Sequence, residues 1–275
     1  MINFSIIIPH KNIPELLERC LKSIPERDDI QVIAVDDVFE RGAGCARNIG
    51  LQQAQGKWLI FADADDFFLP DFEKMLEKYV DSEADMICFA NTSARSKTLK
   101  PLPEKFFSMT SKMREALASY PNIDIIRYNT GVVWCRFIKR EMVEKNKIKF
   151  QETICRNDTL FAVKIGCAAK EILLDETEIY CYTQRHNNTA NNATFEYQKV
   201  RFFVSKSVMK FLRKQKKNAQ IFNDDLLFYY GIIKGNDKML YIKEFLPVLL
   251  LTTTKKAVAK AVFKYLYMKT YNKLS

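Results

Sequence analysis

No two cysteines in this chain are spaced as CxxC, and the seven that occur stand singly at positions 20, 45, 88, 135, 155, 167 and 181. An odd and scattered set excludes a zinc knuckle and a full disulfide framework, and predicts reduced thiols in a core. Apolar runs are short: none approaches the 18 residues that a membrane span requires. The start, Met1-Ile2-Asn3 leading into Phe4-Ser5-Ile6-Ile7-Ile8, lacks a basic segment and meets Pro9 at once, so no secretory leader is expected. Histidine is limited to His10 and His186. No nucleophile elbow follows any strand and Ser5 lies within one, which argues against hydrolytic machinery. Glycine and proline number eight each and no internal repeat is visible, while 48 % apolar and 28 % charged residues describe a globular chain. With 275 residues it can form one large domain, or one domain with an appendage.

Acidic residues are scarce in one region. From Lys199 onward there are 17 Lys and Arg against 4 Asp and Glu, so the rest of a chain of net charge +10 is slightly acidic. That asymmetry calls for an anionic partner or surface near the C-terminal part. No nucleic-acid-binding motif accompanies it, and no nucleic acid is expected as partner.

The first ninety residues alternate strand-like and helix-like patterns. Strands are expected at Phe4–Ile8, Ile30–Val35, Lys57–Phe61 and Met86–Ala90, and helices at Pro14–Ile24, Ala43–Ala54 and Leu69–Val80. This is an α/β pattern with a mainly parallel central sheet flanked by helices, and such sheets bind ligands beyond the carboxyl ends of their strands. Residues 91–103 read as a loop. A helix is expected within Leu102–Tyr120, a strand in Thr130–Phe137, a short helix at Arg140–Lys145, a helix at Asp158–Ile165 entered through Asn157, and a strand at Glu178–Gln184. Long helical periodicity follows from 195 to 218 and from 220 to 270.

Chemistry concentrates at the ends of two strands. Phe61-Ala62-Asp63-Ala64-Asp65-Asp66-Phe67 places three carboxylates where a buried strand emerges, and burying them unpaired would be costly. Oxygen donors spaced i, i+2 suit Mg²⁺ or Mn²⁺ bridging phosphate oxygens, although Asp65 or Asp66 can instead cap the following helix. Asp36-Asp37 ends the second strand, where a carboxylate can accept from a ribose hydroxyl or base N–H, or serve only as a turn or cap. Gly42-Ala43-Gly44-Cys45-Ala46-Arg47-Asn48 opens a helix; its glycines permit close backbone approach, and Arg47 can face a phosphate or tie the acidic loops together. Asp158 stands at a helix N-terminus, either as a charge against the dipole or as a general base. His186 can contact phosphate or metal or be structural, and Pro9-His10 lies on the ligand side of the first strand.

Ser5-Ile6-Ile7-Ile8-Pro9, Val35-Asp36-Asp37, Gly44-Cys45-Ala46-Arg47-Asn48-Ile49-Gly50, Gly56–Phe61 and Asp63-Ala64-Asp65-Asp66 together resemble the family 2 glycosyltransferases of the bacterial surface-polysaccharide type. The likeness continues through Trp134-Cys135-Arg136 and Phe150-Gln151-Glu152 to Asn157-Asp158-Thr159-Leu160-Phe161, so it covers residues 1–190 and not the last 85. It implies a GT-A fold for nucleotide-diphospho-sugar transfer in residues 1–190, with a nucleotide-sugar half at 1–95 and an acceptor half at 96–190, followed by a helical basic region at 191–275. It further implies an inverting, metal-assisted transfer from a nucleotide sugar, with UDP-sugars as the expected donors, to a hydroxyl of a glycan or polyprenyl-diphosphate-linked acceptor. Asp65 would bind Mn²⁺ or Mg²⁺, joined by His186. Pro9, His10, Asp36, Arg47, Asp63 and Ala64 would contact the donor, and Asp158 would deprotonate the acceptor.

Two departures stand out. The usual DDGS is Asp36-Asp37-Val38-Phe39, closely followed by the glycine-rich segment without the helix and edge strand most relatives insert, and the acid expected before the base is Asn157. A nucleotidyltransferase, or a non-catalytic nucleotide- or glycan-binding protein of the same fold, is the alternative. Residues 253–269 carry Lys256, Lys260 and Lys264 at helical spacing beside Val258, Val262, Tyr265 and Leu266. Such a basic amphipathic helix suits an anionic membrane surface, or packs on the main domain with its lysines solvated. The expected location is the inner face of the cytoplasmic membrane, with a homodimer left open.

Overall fold

The structure is a computed structural model that describes residues 1–37, 40–103, 109–129, 131–185, 192–217 and 220–252. His186 and the lysine-rich segment 253–269 lie outside the described residues. The chain forms two units, residues 1–192 and residues 193–275.

The first unit is built on a seven-stranded sheet in the order β2-β1-β3-β6-β5-β7-β4. Its strands are β1 (Phe4–His10), β2 (Ile30–Asp36), β3 (Trp58–Phe61), β4 (Phe67–Phe68), β5 (Met86–Arg95), β6 (Arg136–Lys139) and β7 (Ile172–Gln184). β1 lies between β2 and β3 and runs parallel to both, which is why Phe4-Ser5-Ile6-Ile7-Ile8-Pro9 is buried without alternation. The polar side chain within that buried run is satisfied: the Ser5 hydroxyl donates to Gln31 Oε1 at 2.8 Å and accepts from the Gly56 amide, also at 2.8 Å. β6 is antiparallel to β3 and β5, and β5 pairs parallel with β7.

The helices of this unit are α1 (Pro14–Lys22), α2 (Ala43–Gln53), α3 (Asp71–Tyr79), α4 (Met109–Ala118), α5 (Asp124–Tyr128), α6 (Arg140–Lys145) and α7 (Thr159–Ala168). α1 starts with Pro14 in its first turn and ends where the Ser23 hydroxyl donates to the Cys20 carbonyl at 2.6 Å. All seven cysteines are free; burial of Cys20 pushes its thiol up to about 12.

Three expectations are corrected. Residues 91–95 are not loop but the second half of β5, because Asn91 to Arg95 pair with Tyr180 to Gln184 of a β7 that begins at Ile172 rather than Glu178. Polar residues can continue a strand when a partner strand satisfies their main chain. The strand expected from Thr130 begins only at Arg136, and Asp124–Tyr128 is a short helix that the pattern did not suggest. α7 is entered through Asp158 rather than Asn157, and the Asp158 carboxyl makes no capping hydrogen bond.

The second unit contains α8 (Phe195–Lys214), α9 (Gln220–Asn236) and α10 (Lys238–Thr252). The Tyr230 ring stacks on Tyr241 at 4.6 Å and on Phe202 at 6.0 Å, and Lys206 pairs with the buried Glu244. No helix among the described residues is long and apolar enough to cross a membrane.

Candidate active site

The register of the sheet assembles the site. His10 is opposite Asp36, Ile7 is opposite Phe61, and the Ala62 amide donates to the Ile7 carbonyl at 3.2 Å. Asp36, His10 and the Asp63 loop therefore leave three adjacent strands on one edge, within ~10 Å of one another given the ordinary strand spacing. His10 Nδ1 is 3.8 Å from Asp36 Oδ1, whose side chain is half exposed. Asp37 turns inward instead: its carboxylate accepts from the Arg41 amide at 2.8 Å and the Gly42 amide at 2.7 Å, closing the turn before α2. Lys11, which follows β1, is paired with Glu40 at 2.9 Å near the surface.

The acidic loop after β3 sorts its three carboxylates by environment. Asp66 is fully buried; it accepts from the Tyr180 hydroxyl at 2.8 Å and the Thr183 amide at 2.6 Å. Burial raises its carboxyl well above the usual range, with Asp65 and Asp63 adding to the rise, so it acts as a clamp of the loop onto β7. The same Tyr180 hydroxyl accepts from the Asp63 amide at 2.9 Å. From the other side, the Asp65 carbonyl accepts from the Thr183 hydroxyl at 2.5 Å and from Arg19 of α1. With its backbone held at these points, the loop presents the side chains of Asp63 and Asp65, which are 34 % and 19 % exposed.

Cations face both. Arg185 Nε lies 2.7 Å from Asp65 Oδ2, and Arg47 Nη2 lies 2.5 Å from Asp63 Oδ1. Burial, followed by Asp63, still raises the Asp65 carboxyl, with Arg185 opposing. Among the described residues, no three His, Cys, Asp or Glu side chains are grouped to hold a metal. The donors that are present are the carboxylate oxygens of Asp63 and Asp65, each already facing one guanidinium. They fit a hard divalent cation held by one or two carboxylates and completed by phosphate oxygens, the way Mg²⁺ is commonly bound.

A third segment closes on the loop through α2. Gly42 has φ +87°, and a Cβ on Gly44 would stand 2.0 Å from the Gln151 carbonyl and 2.8 Å from Asn157 Cβ. Only glycine permits that approach, which brings the next turn of α2 against residues 150–157. Asn48 imitates a strand partner there: its carboxamide accepts from the Phe150 amide at 2.9 Å and donates to the Phe150 carbonyl at 3.1 Å. Arg47, only 4 % exposed, donates through Nη1 to Asn157 Oδ1 at 2.7 Å. Beneath them Phe150 stacks on Phe161 of α7 at 3.8 Å, and Phe61 of β3 meets both rings edge-on at 5.1 and 5.6 Å. Each buried phenylalanine contributes about 1.5–3 kcal/mol by its area and each pair about 0.5–1.5 kcal/mol more. The stack fixes the ends of β3 and α7, and hence Asp63 and Asp158, to one base.

Asp158 keeps partial solvent access, yet protein crowds it enough that burial pushes its carboxyl up to about 6; Arg47 opposes that shift and Asp63 adds to it. A carboxyl in that range can take and release a proton near neutrality. Asp63, Asp158 and Arg47 are thus brought together, Asp65 stands beside them on the same loop, and Asp36, Pro9 and His10 line the same sheet edge. The clamp by Asp66, Tyr180 and Thr183 and the grip of Asn48 on Phe150 were not read from the sequence. For the clamp the available signal was three adjacent acids, more than one ligand site needs.

Residues 39–146 match the family description "Glycosyl transferase family 2". A cholesterol galactosyltransferase of Borreliella burgdorferi is 24 % identical over 217 residues, covering 73 % of this chain and 58 % of that protein. The poly(ribitol-phosphate) beta-N-acetylglucosaminyltransferase TarS of Staphylococcus aureus is 21 % identical over 284 residues, covering 88 % of this chain and 47 % of that one. The chain thus spans about half the length of the curated relatives it matches. Among solved structures, S. aureus TarS in complex with UDP-GlcNAc superposes with a TM-score of 0.63 at 18 % identity, over 91 % of this chain and 79 % of that one. The mannosyltransferase PcManGT of Pyrobaculum calidifontis, in complex with GDP-Man and Mn²⁺, gives 0.51 at 14 % identity, over 97 % and 88 %. The fold is GT-A, and residues 39–146 are similar to the family 2 glycosyltransferases.

Proposed function

We propose that this chain is an inverting glycosyltransferase that moves a hexose or N-acetylhexosamine from a nucleotide-diphospho-sugar, a UDP-sugar in the first instance, to a hydroxyl of a glycan or lipid-linked acceptor. The observation that carries the reading is one buried guanidinium, Arg47, that pairs with Asp63, bonds Asn157 and acts by its charge on the neighbouring Asp158, beside the acidic loop that follows β3. Asp36 and His10 would contact the base and ribose, and Asp63 and Ala64 the donor; their shared sheet edge supports these roles. Asp65, with His186 as a further candidate, would hold Mn²⁺ or Mg²⁺, which when bound offsets charge on the departing diphosphate. Asp158 takes the proton from the acceptor hydroxyl as that oxygen attacks C1 opposite the leaving group, so no covalent enzyme intermediate is needed. Arg185 adds a positive charge on the same side as Asp65.

In this reading residues 1–95 hold the donor, residues 96–190 the acceptor, and the basic residues from Lys199 onward hold the protein at an anionic membrane surface or a second copy. The excess of cations in that region supports the placement. The test is a screen of UDP- and GDP-sugars for binding that requires Mn²⁺ or Mg²⁺, with Asp65→Asn as control and acceptor transfer measured in Asp158→Asn. Metal-dependent donor binding that survives Asp158→Asn while transfer collapses is the expected result. Absence of binding by every nucleotide sugar removes the reading.

A further inference from the structure

Asn157 is built into the cluster more tightly than a spacer needs to be. It is 8 % exposed, its Oδ1 accepts from Arg47 Nη1 at 2.7 Å, and its Nδ2 donates to the Thr153 carbonyl at 3.2 Å. Its Cβ also sets the limit on how closely α2 can approach, since a Cβ on Gly44 would meet it at 2.8 Å. The position demands an acceptor toward the guanidinium and a donor toward a main-chain carbonyl. A carboxamide supplies both; a carboxylate of the same shape supplies acceptors only. The consequence is electrostatic. Arg47 is buried among Asp63, Asn157 and the Phe150 ring, 5.5 Å from its guanidinium, and its Nε has no hydrogen-bond partner among the described residues. It is ion-paired to one carboxylate rather than two, so part of its positive field falls on Asp158.

We propose that Asn157 is a positioning residue that keeps Arg47 singly paired, so that its charge tunes the proposed base Asp158 as well as holding Asp63. The idea rests on the glycosyltransferase reading only for the name of the reaction; the electrostatic claim stands on the cluster itself. The charged groups around Asp158 are Arg47 from α2, Asp63 from the loop after β3, Arg136 from β6 and Arg156 from the chain leading into α7. Of these Arg47 is the one whose pairing Asn157 controls.

The decisive comparison is wild type against Asn157→Asp, near-isosteric and one charge more negative. It is read in two ways: carbon-detected NMR titration of the Asp158 carboxyl, and the pH profile of kcat/KM for transfer. The Asp158 midpoint and the acid limb should both move up by about one unit, which is roughly a tenfold loss of kcat/KM one unit below the wild-type midpoint and recovery at pH 9. Arg47→Gln, which removes the charge, should move the midpoint in the same direction. A loss of kcat/KM that is equal at all pH values, or an unmoved Asp158 midpoint in a folded variant, overturns the proposal, as does failure of both variants to fold. If wild type transfers no sugar at all, the titration still decides the role of Asn157 while the functional reading alone falls.

Discussion

The two acidic strand ends of this protein follow one plan in two environments. After β2, Asp37 is tied to the amides of Arg41 and Gly42 and Asp36 is left half exposed beside His10. After β3, Asp66 is tied to Tyr180 and Thr183, and Asp63 and Asp65 are left facing outward. In both, one carboxylate secures the backbone so that its neighbours can be presented. The difference lies in burial and in cations. The first cluster lies near the surface on local main-chain bonds. The second is set deep enough to perturb its carboxyls and is surrounded by Arg19, Arg47 and Arg185, drawn from three elements. Local hydrogen bonds suffice to hold a turn near the surface; a loop whose carboxylates are drawn inward among several cations has to be held by the tertiary structure.

This contrast can be broken by substitution. The largest effect is expected from Asp65→Asn, which should lower metal-dependent transfer by roughly 10²- to 10³-fold, measured as product formed at saturating donor; an effect no larger than that of Asp36→Asn would erase the distinction. Asp66→Ala leaves the Tyr180 hydroxyl and the Thr183 amide without their buried acceptor and should cost about 2–3 kcal/mol in urea unfolding. In wild type, transfer should fall about tenfold for each pH unit below 6. The Asp158 carboxyl is raised by burial to about 6, so lowering pH through that value protonates the base, and a profile flat down to pH 5 counts against that role. Asp36→Asn, which keeps shape but loses charge at a half-exposed position, should raise the KM for donor about five- to tenfold with little change in kcat. Asp37→Ala should be the mildest, about 1 kcal/mol in the same unfolding assay; a cost equal to that of Asp66→Ala would show that burial does not separate the two clusters.

Much of this was legible beforehand where the cause is local. The apolar run Phe4–Ile8, the strand expected at Lys57–Phe61 and the glycines at 42 and 44 announce a mainly parallel sheet and a close approach. Where partners lie far apart in the chain, the reading stopped. Nothing near Asn91 says that its strand continues, because its partner is Tyr180. Nothing near Asp66 says that it is a clamp, since the Thr183 amide it accepts from is 117 residues away. Asn48 looked like one residue of a motif, and its meaning appears only when Phe150 is seen alongside it.

By itself the sequence determined the class of fold, the likeness to family 2 glycosyltransferases and the set of acids in play, because strand burial, helix periodicity and glycine placement depend on residues a few positions apart. Which of those acids is a clamp, which faces a cation and which holds a raised proton affinity was decided only in three dimensions. A carboxylate's charge is governed by the solvent it loses and the partners it meets, and both are set by segments that only folding brings together.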